Sequence, residues 1–408
     1  MLEIEDSGLG TPPGLLAGYR VLDLADERGA YCTRTLADLG ADVVKVEPPG
    51  GCSSRHRPPF AHDEPSPETS LVHLYYNTGK RSITLDLDTP SGQELFRALV
   101  RTADVLVETL PPGTMERRGL GYAALAEVNP GLVYTALTGF GQDGPRRDYQ
   151  CPESVLFALS GGLYASGEPG AEPCPPPGLF AWGIAASFAT VATLGALFAR
   201  GASGRGQYCD VSAQECATLI ADSQIPKYAR TGEVQGREGN AYRTITPGGL
   251  YPCRDGYVRI VAGQLRHWRA LVRWMGSPAL IAEPEWEDRL LRNRERAFVD
   301  GLVAQFTARY TRAELFEQGQ AAGVPVSPVN TPAEYVESAH AAARGYFATV
   351  EHPLLGALRL PGVPYHLDGA PLAPRGPAPL LGQHNAAIYG ELGLAADDLA
   401  ALSAAGVI

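Results

Sequence analysis

Two β-runs, Tyr19-Arg-Val-Leu-Asp-Leu-Ala25 and Asp42-Val-Val-Lys-Val-Glu47, flank a Gly29 turn and a helical stretch from Tyr31 to Leu39 that ends at Gly40. An antiparallel pair needs only a tight turn, so strands joined through a crossover helix are expected to be parallel. The pattern then repeats. Arg81-Ser-Ile-Thr-Leu-Asp86 reads as a strand, and Thr89-Pro90 as the cap and first residue of a helix reaching about Arg101. Ala103 to Glu108 is the next strand, Tyr122 to Val128 a short helix, and Leu132 to Leu137 a further strand. Such alternation predicts an α/β, doubly wound, Rossmann-like sheet. Ligands of these sheets bind beyond the carboxyl ends of the strands, here Asp26 to Ala30, Glu47 to Gly51, Thr109 to Gly113 and Thr138 to Gly144.

Several function classes drop out. Gly139-Phe-Gly141 lacks the Gly-x-Gly-x-x-Gly spacing after the first strand, so a nicotinamide cofactor is unsupported. No Gly-x-x-x-x-Gly-Lys-Ser/Thr loop occurs. With 34 Lys plus Arg against 45 Asp plus Glu the net charge is −11, which argues against nucleic acid as a partner. Met1 to Pro13 carries no secretory signal pattern, and the longest apolar run, Ile184 to Ala199, holds Ser187, Thr190 and Thr193. That run is short for a bilayer span and is expected to be a buried helix, with no membrane contact. Seven thinly spread cysteines point to free thiols in a reducing cytoplasm. Neither Cys-x-x-Cys nor His-x-x-x-His occurs, so no metal site is expected.

After Ser203-Gly-Arg-Gly-Gln207 and a strand from Tyr208 to Val211, a different region begins near residue 223. It holds a β-stretch, Gly256 to Val261, and amphipathic helices near 265–275 and 295–309. The tail returns to short β-segments (Phe347 to Glu351, Leu358, Leu360) and a helix near Asn385 to Leu392. The expected division is a large α/β domain over 1–222, a small domain over 223–330 and a C-terminal part, 331–408, returning to the large domain.

Six blocks in order make the chain resemble the family III CoA-transferases, the group of formyl-CoA transferase, carnitine CoA-transferase and methylacyl-CoA racemase. They are Leu36-Ala-Asp-Leu-Gly-Ala-Asp-Val-Val-Lys-Val-Glu-Pro-Pro-Gly50, Asn77-Thr-Gly-Lys-Arg-Ser-Ile-Thr-Leu-Asp-Leu87, Ala103-Asp-Val-Leu-Val-Glu108, Thr138-Gly-Phe-Gly-Gln-Asp-Gly-Pro145, Thr331-Pro-Ala-Glu334 and Leu381-Gly-Gln-His384. The resemblance implies a large domain made from both chain ends, an inserted small domain and an interlocked dimer. It also implies acyl-CoA and a carboxylic acid as substrates, with no covalently bound cofactor.

Coenzyme A carries a pyrophosphate and a 3′-phosphate, so its site needs cations and backbone amides. Lys80 and Arg117 match family positions that hold the nucleotide, and Asn77, Thr78 and Gly79 form the turn before Lys80. Arg28, at the end of the first strand, adds charge. In family transferases an aspartate just before the long apolar helix attacks the thioester and then accepts CoA. A carboxylate is required because it must be both nucleophile and leaving group. Counting back without gaps from Ala199-Arg200 places Trp182 at that position, and an indole forms no acyl anhydride. Pro152 stands where the racemases have their histidine.

Glu153 aligns with an active-site glutamate of formyl-CoA transferases and could act as general base or substitute nucleophile; the bland alternative is a hydrogen-bonded structural glutamate. Cys151 beside it reads as a buried structural thiol. Gly236, Arg237, Gly239 and Asn240 sit where relatives have a glycine-rich loop that closes over the acyl-enzyme. Three readings stay open: CoA transfer through Glu153 or a shifted acid, a catalytically silent subunit paired with a homologous subunit that supplies the aspartate, and other acyl-thioester chemistry or a non-CoA substrate. The expected dimer is a homodimer or a heterodimer with a homologous subunit.

Overall fold

A computed structural model describes residues 14–367 and 370–408; Met1 to Pro13, over which no secretory signal is expected, lies outside them. Six strands, β1 (Arg20–Leu24), β2 (Asp42–Glu47), β3 (Arg81–Thr84), β4 (Val105–Glu108), β5 (Val133–Thr138) and β6 (Tyr208–Ser212), form one sheet in the order β3-β2-β1-β4-β5-β6. Every neighbouring pair is parallel. This is the doubly wound order, and the crossovers reverse direction between β1 and β4.

Helices cover both faces, so the central strands are buried along most of their length instead of alternating between buried and exposed. All six residues of β5 are buried. Successive side chains in a strand point to opposite faces. Val21, Val43, Val105 and Val133 pack under the helices Ala30–Asp38 and Phe180–Ser203, through Cys32, Leu36, Ala185 and Ala189. Leu22, Val44, Leu106 and Tyr134 pack on the other face against Phe96 and Leu99 of the helix Pro90–Arg101 and against Ile388 and Tyr389.

The helix Phe180–Ser203 has 24 residues, longer than the expected Ile184 to Ala199. Length and composition alone would let it cross a bilayer, yet half of its most apolar window is buried. Packing on the sheet accounts for the buried part of that apolarity, through Ala185, Ala186 and Ala189. It ends at Gly204, whose left-handed φ of 70° closes the last turn.

The chain separates into two units. The first comprises residues 1–160, 176–222 and 339–408, and the second 161–175 and 223–338. Residues 161–175 therefore contribute to the second unit, as does 331–338. In the second unit β7 (Gly248–Cys253), β8 (Gly256–Val261) and β9 (Val326–Pro328) form an antiparallel sheet. The helices Leu265–Trp274, Arg296–Thr307 and Arg312–Ala321 accompany it. Its core gathers Val258, Ile260, Trp268, Leu271, Val303 and Leu315.

Back in the first unit, β10 (Phe347–His352) and β11 (Gly356–Pro361) form an antiparallel pair. The chain then closes the edge at β3. Asn385 accepts from the Thr84 N–H (2.9 Å) and donates to its hydroxyl (2.7 Å), and the Tyr389 hydroxyl donates to the Thr84 carbonyl (2.6 Å).

Candidate active site

A cavity of about 260 Å³ opens beyond the carboxyl ends of β1 to β4, at the place where the winding reverses. Leu24, Val46, Leu85, Leu87 and Leu110 give it an apolar wall, and Asp26, Asp86, Asp88 and Thr109 line its polar side. Three of the expected strand-end segments contribute, Thr138 to Gly144 does not, and the end of β3 adds Leu85 to Asp88. Arg118 also lines the cavity, with its Nε 2.8 Å from Asp88 Oδ1. Neighbouring Arg117 is exposed, and its guanidinium donates to the Thr114 hydroxyl at 2.9 Å.

Lys80 is placed otherwise than expected. Its ammonium is fully buried and donates to Asp23 (2.8 Å), the Thr33 hydroxyl (2.8 Å), Asn77 Oδ1 (2.9 Å) and the Ala30 carbonyl (3.3 Å). With four acceptors inside the fold it has no donor left for a phosphate. Burial pushes it down to about 8, against the pull of Asp23. Asn77 and Thr78 are buried, and Gly79 makes the turn with φ +72°. The Asn77-to-Lys80 turn thus ties the start of β3 to β1 and is not among the residues that line the cavity.

The sheet floor also holds Glu47, whose two oxygens accept from Arg55 at 2.7 and 2.8 Å. Burial would raise its pKa, but Arg55 and Lys45 outweigh burial and hold the carboxyl well below the usual range. Glu47, Cys52 and His73 bring potential metal-ligating atoms within 4.8 Å of one another. The sequence spacing gives no hint of this cluster. Two guanidinium bonds already satisfy the carboxylate, and Lys45 lies near, so this donor set suits its own cations better than a metal.

Arg28 lies at the end of β1. Its guanidinium donates to Asp26 (2.5 and 2.9 Å) and to the Thr109 carbonyl (2.9 Å), and it stands 5.4 Å from the Trp182 ring centroid. Trp182 is the third residue of its helix and only 1% exposed. The fold therefore brings Arg28 and Trp182 together.

Glu153, half-buried, opens the helix Glu153–Leu159. Its Oε1 accepts from the Ala181 N–H at 2.7 Å and its Oε2 from the Trp182 N–H at 3.3 Å. The helix Phe180–Ser203 has no side-chain cap of its own at Leu179, so Glu153 supplies one from 28 residues away. A carboxylate there is favoured by the helix dipole. It is hydrogen-bonded to the backbone at the place where a nucleophile would have to stand free. Cys151 packs against Gly139, where a Cβ would collide with it. Burial pushes its thiol up to about 11, with Arg28 opposing, so it is a poor nucleophile near neutrality.

Gly236, Arg237, Gly239 and Asn240 lie in the second unit.

The model of CoA-transferase family III matches residues 16–385. Succinyl-CoA–D-citramalate CoA-transferase of Chloroflexus aurantiacus is 36% identical over 97% of this chain and 99% of its own length. The succinyl-CoA:(R)-benzylsuccinate CoA-transferase subunit BbsE of Thauera aromatica is 33% identical over 93% of this chain and 95% of its own. The crystal structure of a CaiB/BaiF family protein from Brucella suis superposes with a TM-score of 0.83 at 32% identity, covering 93% of this chain and 100% of that one. A match along nearly the whole length, with the parallel sheet and its strand-end cavity in place, means that the chain belongs to CoA-transferase family III.

Proposed function

We propose that the cavity beyond β1 to β4 takes the nucleotide end of an acyl-CoA, and that the chain serves in moving CoA between carboxylic acids. The observation that carries this is the cavity's place at the winding reversal, with Arg118 in its wall and Arg117 beside it. A phosphate oxygen would compete with Asp88 for Arg118 and would meet Arg117 unopposed by any acid within 4 Å among the described residues. Lys80 and the turn Asn77 to Gly79 brace the strand ends through Asp23 and Thr33. The apolar wall suits the adenine ring.

One finer reading is favoured by a specific observation. At the start of the helix Phe180–Ser203 stand a buried indole and a carboxylate already bonded to two backbone amides. Neither is a free nucleophile. We therefore propose that the attacking carboxylate comes from a homologous partner chain, and that this chain contributes acyl-CoA binding to a heteromeric transferase. The Thauera relative is itself named as a subunit.

The test uses the purified chain, acyl-CoA donors and several acids, with CoA exchange followed by mass spectrometry. CoA binding by calorimetry without exchange, and exchange once a homologous chain is added, is the expected result. Exchange by the chain alone, with hydroxylamine labelling of Glu153, would overturn the partner reading. No binding at about 1 mM CoA would overturn the cavity assignment.

A further inference from the structure

The loop of residues 236–240 is fastened to a segment distant in sequence. Residues 161–175 pack within the second unit. The Gly239 N–H donates to the Gly167 carbonyl at 3.0 Å, and Asn240 Nδ2 donates to Glu168 Oε1 at 2.9 Å. Arg237 Nη1 donates to the Tyr164 carbonyl at 3.3 Å. Gly239 has φ +66°, and a Cβ built on it would collide with the Glu168 carboxylate. The carboxylate thus occupies a space that only glycine leaves open. Beyond it, Arg259 Nη1 donates to the Asn240 carbonyl at 2.7 Å and anchors that end of the loop to β8.

We infer that Glu168 is a positioning residue for the loop 236–240: its carboxylate is the releasable catch that holds the loop down on residues 164–168. Two features make it a catch and not a permanent tie. Glu168 and Asn240 are both exposed, so water competes for the bond and limits its strength. The Gly239-to-Gly167 backbone bond and the Glu168-to-Asn240 bond lie on adjacent residues of both segments, so they make and break together. What the loop closes over rests on the acyl-CoA reading above; the catch itself does not.

Hydrogen exchange on the full chain without substrate tests the catch. Glu168→Ala should raise exchange of the Gly239 amide about three- to tenfold, with β7 to β9 unchanged. Glu168→Gln keeps an acceptor oxygen and should stay near the parent. Asn240→Asp sets two carboxylates against each other and should open the loop. Adding Glu168→Gln to Asn240→Asp lets the amide donate to the new carboxylate and should restore protection. Unchanged Gly239 exchange in Glu168→Ala, or a rise spread evenly over the second unit, would overturn the inference. If Glu168→Ala does not fold, Asn240→Ala gives the same reading.

Failure to bind CoA would sink the cavity assignment and leave the exchange result standing, so the two failures are distinct.

Discussion

At position 182 an indole fills core space and receives a guanidinium on its face. Trp182→Asp would remove that packing and place a carboxylate beside Arg28, which could pair with it. The expected outcome is a protein destabilised by about 3–5 kcal/mol in urea, with new or higher CoA exchange when assayed alone. Wild-type stability with no exchange would mean that the pocket has diverged beyond this one side chain. Glu108, at the end of β4, offers a pH test. Burial pushes its carboxyl up to about 8 from 4.5, with the Leu110 N–H opposing and Glu116 adding to the rise. The unfolded carboxyl ionises from about pH 4.5, whereas the folded one stays protonated until about 8. Stability from this group is therefore full below 4.5, is lost as pH climbs to 8 and is level above. Glu108→Gln should flatten that slope, gaining on the order of 2–4 kcal/mol over wild type at pH 8 and little at pH 4.5, measured by denaturant unfolding.

At the scale of elements, the helix Phe180–Ser203 depends on a remote cap. Glu153→Ala should cost about 1–2 kcal/mol and fray the helix start, visible as faster exchange at Ala181 and Trp182. Glu153→Gln, which keeps an acceptor, should cost less. The central strands were legible because parallel strands buried on both faces read as near-continuous apolar runs, as Val105-Leu-Val107 does. The start of the long helix was not legible. Its cap comes from residue 153, and no local Ser, Thr or Asp marks it. Lys80 misled for a related reason. Its motif is visible in sequence, but whether the ammonium points into the floor or the cavity is decided by Asp23, 57 residues away.

At the scale of the whole molecule, ligand binding should show as added stability. CoA at about one hundred times its Kd should contribute about 2.7 kcal/mol, read as a rise in melting temperature, and Arg117→Ala with Arg118→Ala should weaken that response. The long helix leaves Phe188, Val191 and Phe198 exposed at 43%, 68% and 87%, residues spaced to share one face. The expected dimer would cover such a face. Phe198→Glu should shift the mass measured by light scattering toward a single chain, and an unchanged mass would place the contact elsewhere. The second unit takes in 161–175 beside 223–338, and the first of these segments was not legible, because a Gly/Pro-rich loop carries no periodicity to betray its neighbours.

The closure of β3 by Asn385 and Tyr389 has a consequence for biosynthesis. A ribosome delivers residues 81–84 some three hundred positions before the residues that seal them. Until then the outer strand of a nearly finished sheet offers its open flank to any passing strand. Cells making this protein fast, or stalling late in its message, would be expected to need a holding chaperone during that interval.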